Sequence, residues 1–238
     1  MNLRLSIMTG AIAVGVIGIA SASNAAPIVY DFTGTAGPNV DLGQSHTYTA
    51  AGGPNISATA GTYSGSSPPG NNRTFNTASG VHLVGNNRGV DEQGVGVCGT
   101  SAGGCSGSAL QNDGEIDFEG KEVVQLDITP LFAAFGSFQI NADSATDGEL
   151  LGVFSSNVNN NLGTKLADIT SAQNNVGIIP LGNFLYFVSD AAPEDTGTDV
   201  LLHSLTVTPN AVPEPASLAL LGTGLLGFGL LRRRRNNA

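Results

Sequence analysis

The sequence has no tryptophan, two cysteines, three histidines and nine basic residues, of which only Lys121 and Lys165 are lysines. So few cations against 19 acids leave no surface able to neutralise phosphates, which excludes a nucleic-acid partner. Two cysteines cannot build a structural zinc site, and His46, His82 and His203 stand at no ligand spacing from them. With no Trp and four Tyr there is little aromatic surface on which sugar rings could stack, which counts against a glycosidase. Also missing between residues 26 and 211 is any apolar repeat of period 3.6 sustained over three turns, so a helical bundle is excluded. What remains is Gly (33 residues), small polar residues and short runs of β-branched and aromatic residues.

Charge is distributed unevenly. Arg4 lies at one extreme and Arg232, Arg233, Arg234 and Arg235 at the other. Residues 26–211 hold four bases against eighteen acids, a net of −14. The N-terminal stretch passes from Arg4 through an apolar run of 14 residues, Ile7 to Ala20, to the small residues Ser21 to Ala26. That order predicts a secretory signal peptide over residues 1–25, cut after Ala25 or alternatively after Ala22. The run is short of the ~20 residues that a retained membrane anchor needs.

The C-terminus reads Val212-Pro213-Glu214-Pro215, an apolar run from Ala216 to Leu231, and then the four arginines. As a helix, residues 216–231 would extend ~24 Å at ~1.5 Å per residue, slightly less than the ~30 Å hydrocarbon core. Snorkelling arginines and local thinning cover the difference. The arginines hold their flank on the cytoplasmic side, leaving Pro-Glu-Pro outside, stiff and extended. A plain single-pass anchor would share the helix and the arginines, and a GPI signal would share the apolar tail without the arginines.

This three-part end resembles the PEP-CTERM sorting signal of Gram-negative bacteria. The resemblance covers Val212 to Ala238 and assigns the sorting role to Val212, Pro213, Glu214, Pro215 and Arg232 to Arg235. It implies a halt in the inner membrane, cleavage near Pro213-Glu214-Pro215 by the protease exosortase, and transfer or release to the cell surface. Signal peptidase and the secretion machinery are the earlier partners it implies, and proteins of this kind accompany exopolysaccharide, biofilm or floc formation. A less specific resemblance covers Gly94 to Cys98, Glu115 to Asp117 and Glu122 to Asp127, a pattern similar to blocks of other exosortase-dependent surface proteins.

For the middle, residues 26–211, short strand-like runs separated by Gly, Asn, Ser, Pro and Asp predict an all-β fold, an antiparallel β-sandwich or jelly roll. The runs are 28–33, 46–50, 56–60, 81–84, 123–129, 136–142, 149–154, 165–170, 176–181, 184–189 and 200–208, with turns expected at 64–72, 86–89 and 157–163. The segment 34–80 is read as ordered strands. One short helix is expected from Thr129 to Phe135, with Thr129 as N-cap and Pro130 at N1. An exported chain meets an oxidising compartment, and the Gly-rich stretch between Cys98 and Cys105 lets the two approach, so a disulfide is expected.

Three patterns suggest chemistry. Gly94-x-Gly96-x-x-Gly99 matches a dinucleotide fingerprint, but no helix pattern follows to hold a pyrophosphate. Gly99-x-Ser101-x-Gly103 matches a nucleophile elbow, yet it sits between the two cysteines with His203 as the one histidine downstream. The acids cluster at Asp113 to Glu122 and at Asp143, Asp147 and Glu149; the second group is the candidate for calcium, the one cofactor these oxygen-rich loops would admit. No EF-hand pattern is present. The expectation is therefore a non-enzymatic surface or matrix protein, set against the alternative of a secreted carboxylate-dependent hydrolase.

Overall fold

The structure, a computed structural model, describes residues 26–33, 39–66, 69–89, 92–99, 105, 114–145, 148–173, 175–190, 199–210 and 222–226. The expected signal peptide, Asp147, Ser101, Val212, Pro213-Glu214-Pro215 and Arg232 to Arg235 lie outside them. Residues 222–226 are helical, and among the described residues no helix is long and apolar enough to cross a membrane.

Two antiparallel sheets make up the body. The first contains β1 (Ile28–Asp31), β2 (Val40–Gly43), β6 (His82–Gly89), β7 (Glu92–Cys98), β8 (Ile116–Asp117), β10 (Phe135–Asp143), β13 (Val176–Ile178) and β15 (Asp199–Pro209). Its strand order is β13-β10-β15-β7-β6-β2, with β1 and β8 also paired to β15. The second contains β3 (Ser45–Tyr48), β4 (Ile56–Tyr63), β5 (Phe75–Asn76), β9 (Glu122–Asp127), β11 (Leu151–Ser156), β12 (Thr164–Ile169) and β14 (Phe184–Ser189). Its order is β12-β11-β14-β9-β4-β3, with β5 on β4.

Period-2 alternation puts Tyr30, Leu83, Val97, Ile140, Leu202 and Val207 on the inner face of the first sheet. Ile56, Ala58, Val124, Leu126, Val153 and Phe187 do the same in the second, and the two sets form one core. The all-β sandwich is thus what the strand runs predicted.

The 11-residue β15 organises the first sheet. One edge pairs with β10, from Phe135 opposite Pro209 to Asp143 opposite Leu201. The other edge is shared by three short partners: β1 along Ser204–Val207, β7 at Leu202 and β8 at Asp199–Val200. Asn141 faces Ser204 while Ala142 faces Leu202, so His203 is the extra residue of a β-bulge where β1 gives way to β7. Because β1 begins where β15 ends, the body's first and last strands start and stop at the same end of the sandwich.

The outer face of the second sheet carries its own apolar cluster, including Tyr63, Phe75, Phe154, Leu162 and Tyr186. Residues 69–76 and 157–163 cover it and bond to one another: Asn72 N–H to Gly163 C=O at 2.7 Å, Leu162 N–H to Arg73 C=O at 2.8 Å and Phe75 N–H to Asn160 C=O at 2.9 Å. Tyr186 keeps its hydroxyl satisfied by donating to Val158 C=O at 2.8 Å and accepting from Gln125 Nε2 at 2.9 Å.

Several local expectations are corrected. The helix α1 spans Thr129–Phe132, its N-cap is Ile128 and no side chain caps it. Thr129 instead donates its own N–H to Asp127 Oδ1 at 2.9 Å, and Phe135 already belongs to β10. The turn expected at 86–89 is the second half of β6, paired residue for residue with β7 until a bulge near Arg88. Segment 34–80 contains β2 to β5, with 34–38 and 67–68 outside the described residues.

Candidate functional site

The glycines of the apparent dinucleotide motif are close-approach positions. A Cβ on Gly94 would meet Leu202 O at 2.5 Å, and one on Gly96 would collide with the backbone of Gly114 and Glu115. Gly96 therefore allows Gly114 and Glu115 to pass over β6 and β7 before Ile116 turns into the core beside β15, and Val97 N–H donates to Glu115 C=O at 3.2 Å. Gly99 adopts φ +110°, a region L side chains rarely enter. Under the crossing strap Asn86 is fully buried; its Nδ2 donates to Gly114 C=O at 2.5 Å.

This strap brings charges from four distant parts of the chain together. Arg88 Nη1 stands 3.5 Å from Glu92 Oε2 and 3.8 Å from Glu115 Oε1, while its Nε donates to Asn39 Oδ1 at 2.8 Å. Ser144 Oγ donates to Glu115 Oε2 at 3.0 Å. Burial pushes the Glu115 carboxyl above its ordinary pKa; the Ser144 hydrogen bond and Arg88 oppose this, and the charges of Glu92 and Glu149 reinforce it. Beside it, Asp143 Oδ2 accepts from Gln93 N–H at 2.9 Å and Asp143 Oδ1 from Ser144 N–H at 2.9 Å. His203, aimed by the β-bulge, points Nδ1 at Gln93 C=O, 3.1 Å away, with Asp143 Oδ2 at 3.6 Å. Asn141 Nδ2 donates to Ser204 Oγ at 2.9 Å on the same face.

The result is a face of carboxylates, amides and hydroxyls held by backbone contacts. Of the calcium candidates, Asp143 is tied into these contacts, Glu149 acts electrostatically on Glu115, and Asp147 lies outside the described residues. Among the described residues no group of three His, Cys, Asp or Glu side chains is placed to hold a metal.

His82 Nδ1 lies 3.0 Å from Asp41 Oδ1, and the His46 ring packs edge-on against Tyr48 at 4.8 Å. Cys98, at the end of β7, is bonded to Cys105 with the Cα atoms 5.4 Å apart. On the second sheet Lys165 Nζ meets Asp168 Oδ1 at 2.7 Å and Asp190 Oδ2 at 2.6 Å. Burial raises the Asp190 pKa although Lys165 pulls it down. For Lys165, burial works against the charge and the two carboxylates outweigh it, raising its pKa.

The strap cluster of Arg88, Glu92, Gln93, Ser144 and His203 has no signature in the sequence; Gly96, the residue that admits the strap, is the nearest to a signal. The sorting signal is the reverse case, legible in order and spacing. A family model for the PEP-CTERM protein-sorting motif matches residues 211–235. The chain carries a PEP-CTERM sorting motif. That motif implies export, a C-terminal membrane-anchoring sorting signal and exosortase as the processing partner. The PEP-CTERM match begins at Ala211, two residues after β15 ends. No curated protein and no solved structure matches the chain.

Proposed function

We propose that the chain is a non-enzymatic surface or extracellular-matrix protein of a Gram-negative bacterium, and that its acidic sandwich associates with exopolysaccharide in biofilm or floc. The observation that carries this reading is the sorting motif at residues 211–235, which follows directly on the last strand of the body. Entry into the secretory route uses residues 1–25. Residues 216–231 then halt the chain in the inner membrane with Arg232 to Arg235 on the cytoplasmic side, and exosortase cuts near Pro213-Glu214-Pro215. The polar outer face of the first sheet, where Arg88, Glu92 and His203 stay partly exposed beside the largely buried Glu115 and the buried Ser204, supports the polysaccharide part of the reading, because its groups match sugar hydroxyls in kind.

Pulse-labelling with envelope fractionation tests the processing step. Replacing Pro213, Glu214 and Pro215 by Ala should make the full-length chain accumulate in the inner membrane. If that variant reached the surface at its usual size and rate, the tail would be a simple anchor. A glycan panel probed with the protein tests the body: retention on acidic or neutral exopolysaccharide without release of reducing ends is expected, and release would establish the hydrolase instead.

A further inference from the structure

The two ends of the sandwich differ in chemistry. At the end where β1 begins and β15 stops, Asn210 N–H donates to Ala134 C=O at 3.2 Å, which ties the exit of the chain to the connector that carries α1. The connectors at this end include residues 49–55, 128–134, 157–163 and 179–183, and none of these contains an Asp, Glu, Lys or Arg. Two of them meet where Ile128 N–H donates to Asn183 C=O at 2.8 Å. They expose Phe132 (37%), Leu181 (53%) and Ile179 (78%). Asp127, at the margin, is turned to the N–H of Thr129, and by register Glu92 lies roughly 10 Å short of Pro209 at ~3.3 Å per residue. The opposite end holds Asp117, Glu119, Glu122, Glu149, Asp190 and Asp199.

From this polarity we infer that the tail-proximal end is a membrane-docking surface that rests on the bilayer holding residues 216–231. The inference stands on the reading of the tail given above. Only residues 211–215 separate the body from the apolar run, a reach of at most ~20 Å, so this end alone can face the bilayer at close range. A body with a net of −14 is repelled by an anionic leaflet, but repulsion fades within a Debye length of ~8–10 Å. The 11 residues of β15 extend ~36 Å at ~3.3 Å each, which holds the acidic end several Debye lengths away while the uncharged connectors touch headgroups. Phe132, Ile179 and Leu181 are the side chains suited to the interface.

The absence of tryptophan supplies the test, since one introduced Trp reports on its own position. The full chain is placed in phosphatidylethanolamine–phosphatidylglycerol vesicles with brominated acyl chains, as Ile179→Trp, Glu119→Trp or Leu220→Trp. Strong quenching, about twofold or more, is expected for Leu220→Trp and Ile179→Trp and none for Glu119→Trp. Quenching of Leu220→Trp alone overturns the docking surface and leaves the tail reading standing. Equal quenching of Ile179→Trp and Glu119→Trp, or a blue-shifted but unquenched Ile179→Trp that cross-links to a second copy, also overturns it. An unquenched Leu220→Trp removes the tail reading and the docking with it. Ile179 is so exposed that the Trp variant keeps the fold, which its unchanged far-UV spectrum checks.

Discussion

The outer faces of the two sheets have opposite fates. That of the second sheet is apolar and sealed: Phe75, Phe154 and Tyr186 lie beneath two segments that bond chiefly to each other. That of the first sheet is polar and crossed by a strap at Gly114 and Glu115, which leaves Arg88, Glu92, Asp143 and His203 partly in water. Both use a long excursion of chain to cover a sheet, but one excursion completes a core and the other assembles charges. The sealed face is therefore where stability resides, and the strapped face is the one to which the proposed polysaccharide contact is assigned.

The largest effect should come from the sealed face. Phe154→Ala removes a fully buried ring and should cost about 3–5 kcal/mol, lowering Tm by roughly 10 °C at ~2–4 °C per kcal/mol, as read by thermal denaturation. A loss below about 1 kcal/mol would mean that the covering segments are ornamental. Next is the link that ends β7. Replacing Cys98 and Cys105 together by Ser should cost about 2–3 kcal/mol through the lost loop constraint, measured against the oxidised protein in urea. An unchanged urea midpoint would show that this link constrains nothing.

Tyr186→Phe, which leaves Val158 C=O with only the 3.3 Å bond from Asn161 N–H and removes one acceptor for Gln125 Nε2, should cost about 1 kcal/mol and loosen residues 157–163, visible as faster amide exchange there. Glu115→Gln gives the smallest effect and carries a sign. A carboxyl whose folded pKa lies above its unfolded one binds more protons when folded, so its contribution is favourable in acid and is lost as pH rises through the folded pKa. The Gln variant should thus gain stability relative to the parent at neutral pH and show no gain in acid. An equal difference at both would remove Glu115 from the titration of this face.

Much of the sandwich was legible because its central strands are rich in β-branched and aromatic residues. The runs at 184–189 and 200–208 lie almost wholly within β14 and β15. β7 was not, because Glu92-Gln93-Gly94-Val95-Gly96-Val97-Cys98 looks like a loop until one sees that its glycines yield to Leu202 and to the strap. For the same reason Asn86-Asn87-Arg88-Gly89 imitated a turn: strand pairing with β7 overrides weak local propensity. The sorting motif needed no tertiary structure, being linear. The polar cluster needed all of it, since Gln93, Glu115, Asp143 and His203 meet only through register and a bulge.

The placement of β15 also sets a schedule. It lies at the centre of the first sheet and pairs with β10, β1, β7 and β8, yet it is the last strand to leave the ribosome and the last to cross a membrane. Until Pro209 has emerged, four strands have an open edge where β15 belongs, a state exposed to aggregation and proteolysis. Closing pairings this far apart in sequence is slow. The sorting motif starts two residues later, so on the proposed reading of the tail a halt at that motif coincides with the arrival of the missing strand. On that reading, the pause that presents the chain for cutting is also the interval in which the body can fold.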